Sequence, residues 1–419
     1  MGGTDPRGYH LANLLIHLGA TLLLFGLVRR TLRQAALPDW LRLAARPVAF
    51  SIALLWALHP LQTESVTSVV QRTESLAGLI YLAALYAFMR GTEPAAPAAG
   101  RWLGVCVAAS FTGMATKETV GTLPLIILLY DRAFVAGSFR EALRQRWGFY
   151  GLLVLSWLLL GALMTQTQGR GGTVTLGRDV TVWMSLLTQS RAVAMYLQLA
   201  IWPHPLVLDY GDFVTDTVTG LGQVLPQFLL ISALGGATLY ALTRWPKTGF
   251  IGAWLFVILA PSSSFIPLLS QMRAEHRMYL PLAAVIVLLV IMLWRLAGRT
   301  APVVVAVLAL ALGAGTIARN HDYRTALALW ADTALKQPGN PRAHYSLGLE
   351  LMRTGDRAGA QREYAEAVRL KPTYFAAHLG LAGLLLEEGR TVEAQSHDPP
   401  GAGNFQRRQQ SRTGAVAQW

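Results

Sequence analysis

The chain has 419 residues, of which 53% are hydrophobic and only 14% charged. Ordinary soluble domains are about 25% charged, so lipid is the expected solvent for much of this chain. The net charge of +13 falls mostly in short loops between apolar runs. That placement argues against nucleic-acid binding and fits arginines that orient a membrane protein. The single cysteine, Cys106, rules out an intramolecular disulfide framework.

A helix needs roughly 20 apolar residues to cross the hydrocarbon core. Read in chain order, the apolar runs predict about ten spans, near 11–28, 47–58, 75–89, 102–115, 119–130, 148–165, 223–243, 249–266, 279–296 and 301–318. The first run ends in Arg29, Arg30 and Arg33, with no small-residue cleavage site, so it reads as an anchor and not a signal peptide. Residues 181–202 are apolar but hold Gln189, Arg191 and Gln198, and read as an interfacial or re-entrant helix. Arginine and lysine concentrate in alternate loops, at 29–46, 90–101, 132–146, 244–247 and 295–299. Those loops are expected to be cytoplasmic, which places both termini on the other side.

Beyond the last span the pattern changes to charged and alanine-rich, with a period of 34: Ala343, His344 and Leu347 recur as Ala377, His378 and Leu381, Gly355 as Gly389, and Pro338 as Pro372. That is the tetratricopeptide period, a helix–turn–helix unit. Asp398 then stands where the period calls for an aromatic, and Pro399-Pro400 forbids a further helix. The expected organisation is therefore an all-α chain. Residues 1–320 form a polytopic transmembrane helix bundle, 321–394 a short tetratricopeptide region on the non-cytoplasmic side, and 395–419 a disordered or aberrant tail.

Ionisable residues at membrane depth mark functional sites by default. Four clusters stand out on the expected outer face. They are His59-Pro60-Leu61-Gln62-Thr63-Glu64 with Arg72 and Glu74, then Lys117-Glu118, then Trp202-Pro203-His204-Pro205 with Asp209-Tyr210, then Glu275-His276-Arg277 with Tyr279. Each also has a plainer reading. Lys117-Glu118 would be a self-neutralising pair capping a hairpin, Trp202 and Tyr210 interfacial aromatics, and His10 and His17 interhelical hydrogen-bonders. Taken together, the four clusters describe a polar cavity open to the exterior. No HExxH or CxxC spacing assigns a metal; a divalent cation held by carboxylates stays open.

In this order the motifs LLIHLGATLLLF at 14–25, HPLQTESV at 59–66, ATKET at 115–119, WPHPLVLDY at 202–210 and AEHRMYLP at 274–281, followed by the repeats, resemble the polytopic GT-C glycosyltransferases with lumenal tetratricopeptide repeats. The animal members are the transmembrane O-mannosyltransferases acting on cadherins. The resemblance implies transfer of a sugar, mannose in those members, from a polyprenyl-phosphate carrier to a hydroxyl acceptor such as protein Ser/Thr on the non-cytoplasmic face. It implies Arg72, Arg277 and Lys117 as ligands of the donor phosphate and Glu64, Glu74 and Glu275 as candidates for acid–base and hydroxyl contacts. His59, Glu118, Asp209, Tyr210, His276 and Tyr279 would support them. The expected partners are the bilayer, the lipid-linked donor and a protein held by the repeats. The expected location is a multi-pass position in a bacterial inner membrane, with the repeats periplasmic or lumenal.

The family carries one further N-terminal helix and an outer loop bearing the acid expected to act as base. Here Met1 stands just before the second helix and Asp5 is the one acid nearby, so the chain is expected to be N-terminally truncated relative to a full-length parent. The alternative function is accordingly a non-catalytic membrane-anchored repeat scaffold, or an inactive fragment of such an enzyme. A transporter ranks last, since no matching inverted halves are visible.

Overall fold

A computed structural model describes residues 6–34, 37–93, 98–166, 181–211, 218–263 and 273–397. Among these residues every regular element is helical. The first elements are α1 (Pro6–Leu32), α2 (Asp39–Leu43), α3 (Ala45–Ala57), α4 (Thr63–Thr67), α5 (Arg72–Gly91), α6 (Ala99–Thr116) and α7 (Leu123–Tyr130). They are followed by α8 (Phe139–Gln166), α9 (Val182–Ile201), α10 (Leu225–Arg244), α11 (Pro246–Ser263), α12 (Leu282–Ala297) and α13 (Ala301–Asp322).

The expected spans other than 119–130 fall on helices, but the helices differ in length. Among the described residues, four stretches are long and apolar enough to cross a membrane: Arg7–Leu32, Phe139–Thr165, Leu225–Arg244 and Leu282–Asp322. The last contains α12 and α13. None of the most apolar window of Leu225–Arg244 is buried against protein, and Leu229, Leu230, Leu234 and Leu239 are exposed. In water such a face would be a large apolar patch; in hydrocarbon it is matched to its solvent. The chain is an integral membrane protein. Ala45–Ala57 and Pro246–Pro261 are shorter apolar helices, and the expected span at 119–130 is broken. A 3₁₀ turn at Glu118–Thr122 leads into the eight residues of α7, and a π turn at Asp131–Val135 follows. The apolar residues at 181–202 do form a helix, α9, which buries Ala192, Tyr196 and Leu199.

At one end of the bundle the π turn is locked. Asp131 is fully buried, takes two hydrogen bonds from Arg146 at 2.6 and 2.9 Å, and takes a third from Tyr150 at 2.6 Å. Arg146 itself has non-helical dihedrals (φ −133°, ψ 32°), so α8 bends where its side chain turns inward to the acid.

The chain divides into two compact units, Met1–Leu206 with Asp212–Tyr323, and Val207–Gly211 with Arg324–Trp419. The second unit contains α14 (Ala326–Lys336), α15 (Pro341–Thr354), α16 (Arg357–Leu370), α17 (Phe375–Glu387) and α18 (Thr391–Ser396). Helix starts recur after 34 residues, α15 to α17 and α16 to α18. Gly355 and Gly389 both end a helix at positive φ, 89° and 78°, a conformation that favours glycine. Ala343, Ala360 and Ala377 are fully buried, and Tyr364 lies so close to Gly348 that a Cβ there would stand 2.6 Å from its ring. Of the tail from 395 on, residues 398–419 fall outside the described residues.

Candidate active site

The segment after α3 begins with His59, and its ring fixes the local turn. Its Nδ1 accepts from the Leu61 amide at 3.2 Å and caps the 3₁₀ turn Pro60–Gln62. The proton therefore sits on Nε2, which donates to the Ala200 carbonyl of α9 at 3.2 Å. Burial pushes the imidazole down to about 4. His59 is thus a neutral clamp between this turn and α9.

The turn delivers Glu64 to the first residues of a second turn, Glu275–Met278. One carboxylate oxygen lies 2.7 Å from His276 Nδ1, and the other accepts the His276 amide at 2.9 Å. Burial opposes ionisation of Glu64, but the His276 ring, its hydrogen bonds and the Arg319 guanidinium outweigh it and hold the carboxyl below its ordinary range. An ionised Glu64 requires the proton on Nδ1 of the imidazole, which sets the tautomer. Arg319, at the end of α13, is buried, pairs with Asp322 at 3.1 Å and lies 5.2 Å over the Tyr323 ring. Burial and the Glu64 and Glu275 carboxylates push the Tyr323 hydroxyl well above its ordinary value, against the opposing effect of Arg319.

Beneath this pair is an aromatic floor. Tyr279 donates to or accepts from His17 Nδ1 at 2.9 Å, and its carbonyl accepts the Trp56 indole at 3.0 Å. His17 stacks on Trp56 with centroids 5.1 Å apart and bonds the Ala57 carbonyl at 3.1 Å. It is a hydrogen-bonder between helices, while His10 is exposed. Gly78 of α5 makes room for the Tyr279 ring, since a Cβ there would stand 2.4 Å from it.

Beside the floor, Glu74 pairs with Lys117 across 43 residues of sequence, so the lysine's carboxylate partner comes from α5. Arg72 donates to Asn13 at 2.9 Å, lies 4.7 Å over the Tyr9 ring, and Asn13 in turn donates to the Val66 carbonyl at 3.0 Å. Glu275 and Arg277 are buried at 2% and 8% exposure, beside His276 at 7%. The expected open chamber is therefore, among the described residues, a buried network. Among those residues no group of three or more His, Cys, Asp or Glu gathers as a metal site. Asp5 lies outside the described residues.

The third motif is divided: Trp202 to Leu206 belong to the first unit, and Asp209 and Tyr210 to the repeat unit. Asp209 pairs with Arg342 at 3.1 Å, its carbonyl accepts from Asn340 at 2.9 Å, and its carboxylate accepts the Gly211 amide at 2.8 Å. Tyr210 is buried, which overturns its reading as an interfacial aromatic, whereas Trp202 is 69% exposed. The sequence reading passed over Trp56, Arg319 and Tyr323. Arg319 carried a signal: it is a cation at the end of the last expected span, on the side that is poor in arginine.

The network offers an oriented carboxylate–imidazole pair, a set of guanidinium groups near it and a rigid aromatic base. No protein-family model matches the chain, and no solved structure matches it. The chain is similar to Protein O-mannosyl-transferase Tmtc3 of Drosophila melanogaster, 24% identical over 93% of this chain and 49% of that protein. It is likewise 24% identical to Protein O-mannosyl-transferase F38B6.6 of Caenorhabditis elegans, over 88% and 52% of the two chains. The same identity relates it to Protein O-mannosyl-transferase TMTC1 of Homo sapiens, over 94% and 48%. The chain spans about half the length of these relatives.

Proposed function

We propose that this chain, a relative of the TMTC protein O-mannosyltransferases, forms the membrane part of a protein glycosyltransferase. It moves a sugar from a polyprenyl-phosphate carrier to a Ser/Thr hydroxyl on the non-cytoplasmic face. The observation that carries the reading is the meeting of HPLQTE and EHR: Glu64 grips His276 through both its side chain and its amide, although 212 residues separate them.

In this reading His276 takes the proton of the acceptor hydroxyl on Nε2, while Glu64 holds Nδ1–H and stabilises the imidazolium that forms. The acceptor oxygen bonds to the anomeric carbon as the bond from that carbon to the phosphate oxygen breaks. The polyprenyl phosphate leaves with the electron pair, and Arg277 and Arg72 stabilise its growing charge. Glu275 contacts sugar or acceptor hydroxyls. Glu74 and Lys117 neutralise one another and support Tyr279, and the repeats present the acceptor polypeptide.

The test is transfer of radiolabelled sugar from polyprenyl-phosphate mannose to a Ser/Thr-rich acceptor in membranes carrying the protein. His276→Gln, Glu64→Gln and Arg277→Ala are each expected to lower the rate by about 100-fold or more. Undiminished transfer in all three would remove the assignment.

A further inference from the structure

The outer network does not account for a cavity at the opposite end of the bundle. It has a volume of about 360 Å³ and is walled by α1, α2, α11 and α12 together with Tyr130 and Phe134. On α12 it runs from Ala283 to Arg295, which is about 18 Å at 1.5 Å per residue. Its inner end begins one helical turn beyond Tyr279 and is wholly apolar, with Ala283, Ala284 and Trp254. Its other end carries the cations, Lys247 in the first turn of α11 and Arg295 in the last turn of α12. No carboxylate is among the described residues that line it.

We infer that this cavity binds an anionic glycerophospholipid from the leaflet opposite the Glu64–His276 network. One acyl chain lies along the apolar wall and the phosphate lies at Lys247 and Arg295. The polarity of the cavity decides between lipids. A polyprenyl donor reacting at Glu64–His276 would place its phosphate at the inner end, where no cation lines the wall. A phospholipid entering from the arginine-rich side places its phosphate where the two cations are, and basic pockets between helices on that side are fit for anionic headgroups. Trp40 on α2 lines the same mouth, at the depth where amphipathic rings sit. The acyl chain exchanges one apolar environment for another, so the headgroup supplies the selectivity.

The experiment is native mass spectrometry of the full chain in detergent, titrated in parallel with phosphatidylglycerol, phosphatidylcholine of the same acyl chains, and undecaprenyl phosphate. Wild type is expected to retain phosphatidylglycerol at least fivefold better than phosphatidylcholine. The Lys247→Gln/Arg295→Gln pair is expected to abolish that preference, and the Lys247→Arg/Arg295→Lys pair to keep it. Ala284→Leu, which narrows the wall, is expected to weaken both phospholipids together. Equal retention of the two phospholipids by wild type overturns the inference whether or not any variant folds. So does an unchanged preference in the Gln pair, or displacement of phosphatidylglycerol by undecaprenyl phosphate at equal concentration.

Discussion

His59 shows how much of this site is held by residues that do no chemistry. It satisfies the Leu61 amide and the Ala200 carbonyl at once, so His59→Ala leaves two buried backbone groups unmet. Each costs about 1–3 kcal/mol, and thermal unfolding in detergent should show the sum as a lowered Tm. Because burial holds the ring down to about 4, the unfolded chain binds its proton at higher pH than the folded one. Stability contributed by His59 is therefore complete above its ordinary value near 6.5 and is lost as pH falls from there toward 4, at about 1.4 kcal/mol per unit. Glu64 acts at a lower range: its carboxyl is held below the ordinary value, so its contribution fades only as pH drops below about 4.5. A His59→Gln variant should flatten the slope between pH 6.5 and 4, leaving the part due to His397, and keep the one beneath it. An unaltered slope would mean the ring is not the titrating group.

The pairing of Glu74 with Lys117 is a second residue-scale case. Removing one partner of a buried ion pair leaves an uncompensated charge at about 3–5 kcal/mol, whereas replacing both is often nearly neutral. Glu74→Gln and Lys117→Met are expected to be far more damaging singly than in combination, as a double-mutant cycle on unfolding would read. Strictly additive losses would count against the pair. The acids and bases of the site were legible as motifs because charge at membrane depth stands out against apolar neighbours. Their partners were not. Lys117 sits next to Glu118 in sequence and reaches Glu74 instead, and nothing local in HPLQTE announces His276.

At the scale of elements, the sequence located the helices well because lipid-facing and core-facing runs are both apolar and sharply bounded. It overestimated the regularity of 119–130, where Gly121 and Pro124 sit in the 3₁₀ turn and the first turn of α7. The repeats were the most legible part, since a fixed period repeats its contacts as well as its residues. His344 Nε2 bonds the Pro338 carbonyl at 3.0 Å, and His378 Nε2 bonds the Pro372 carbonyl at 2.8 Å. The other ring nitrogen differs: His344 meets Glu363 at 2.7 Å, while His378 meets His397 at 3.3 Å. Burial and the neighbouring His378 lower His397 below its ordinary value. Protonation thus opposes the fold of the second repeat as pH falls below about 6.5. His397→Glu restores the partner found one period earlier and should make limited proteolysis after α17 insensitive to pH between 7 and 5. Gly355→Ala, at φ 89°, is expected to cost about 1–2 kcal/mol in the same region.

For the whole molecule, the sided distribution of arginine makes a claim about topology. The Glu64–His276 network and the Arg295 end of α12 lie at opposite ends of one bundle, and the positive-inside rule predicts that the arginine-rich end faces the cytoplasm. Cys106 is buried and should stay silent to impermeant thiol reagents. Against that background, Val70→Cys, at an exposed position, should label from outside intact cells. Arg299→Cys should label only after the membrane is opened. Labelling of both from one side would reverse the assignment of faces.

The grip of His276 on Glu64 also bears on biosynthesis. A nascent chain carries Glu64 into the translocation machinery long before the codons for 275–279 are read. During that interval the carboxylate has neither the imidazole nor the amide that later steadies it. The early helices therefore wait, incompletely joined, for α12 to arrive, and the Glu64–His276 network closes only when the latter part of the bundle docks. A site built this way cannot close until the segment carrying His276 has been made.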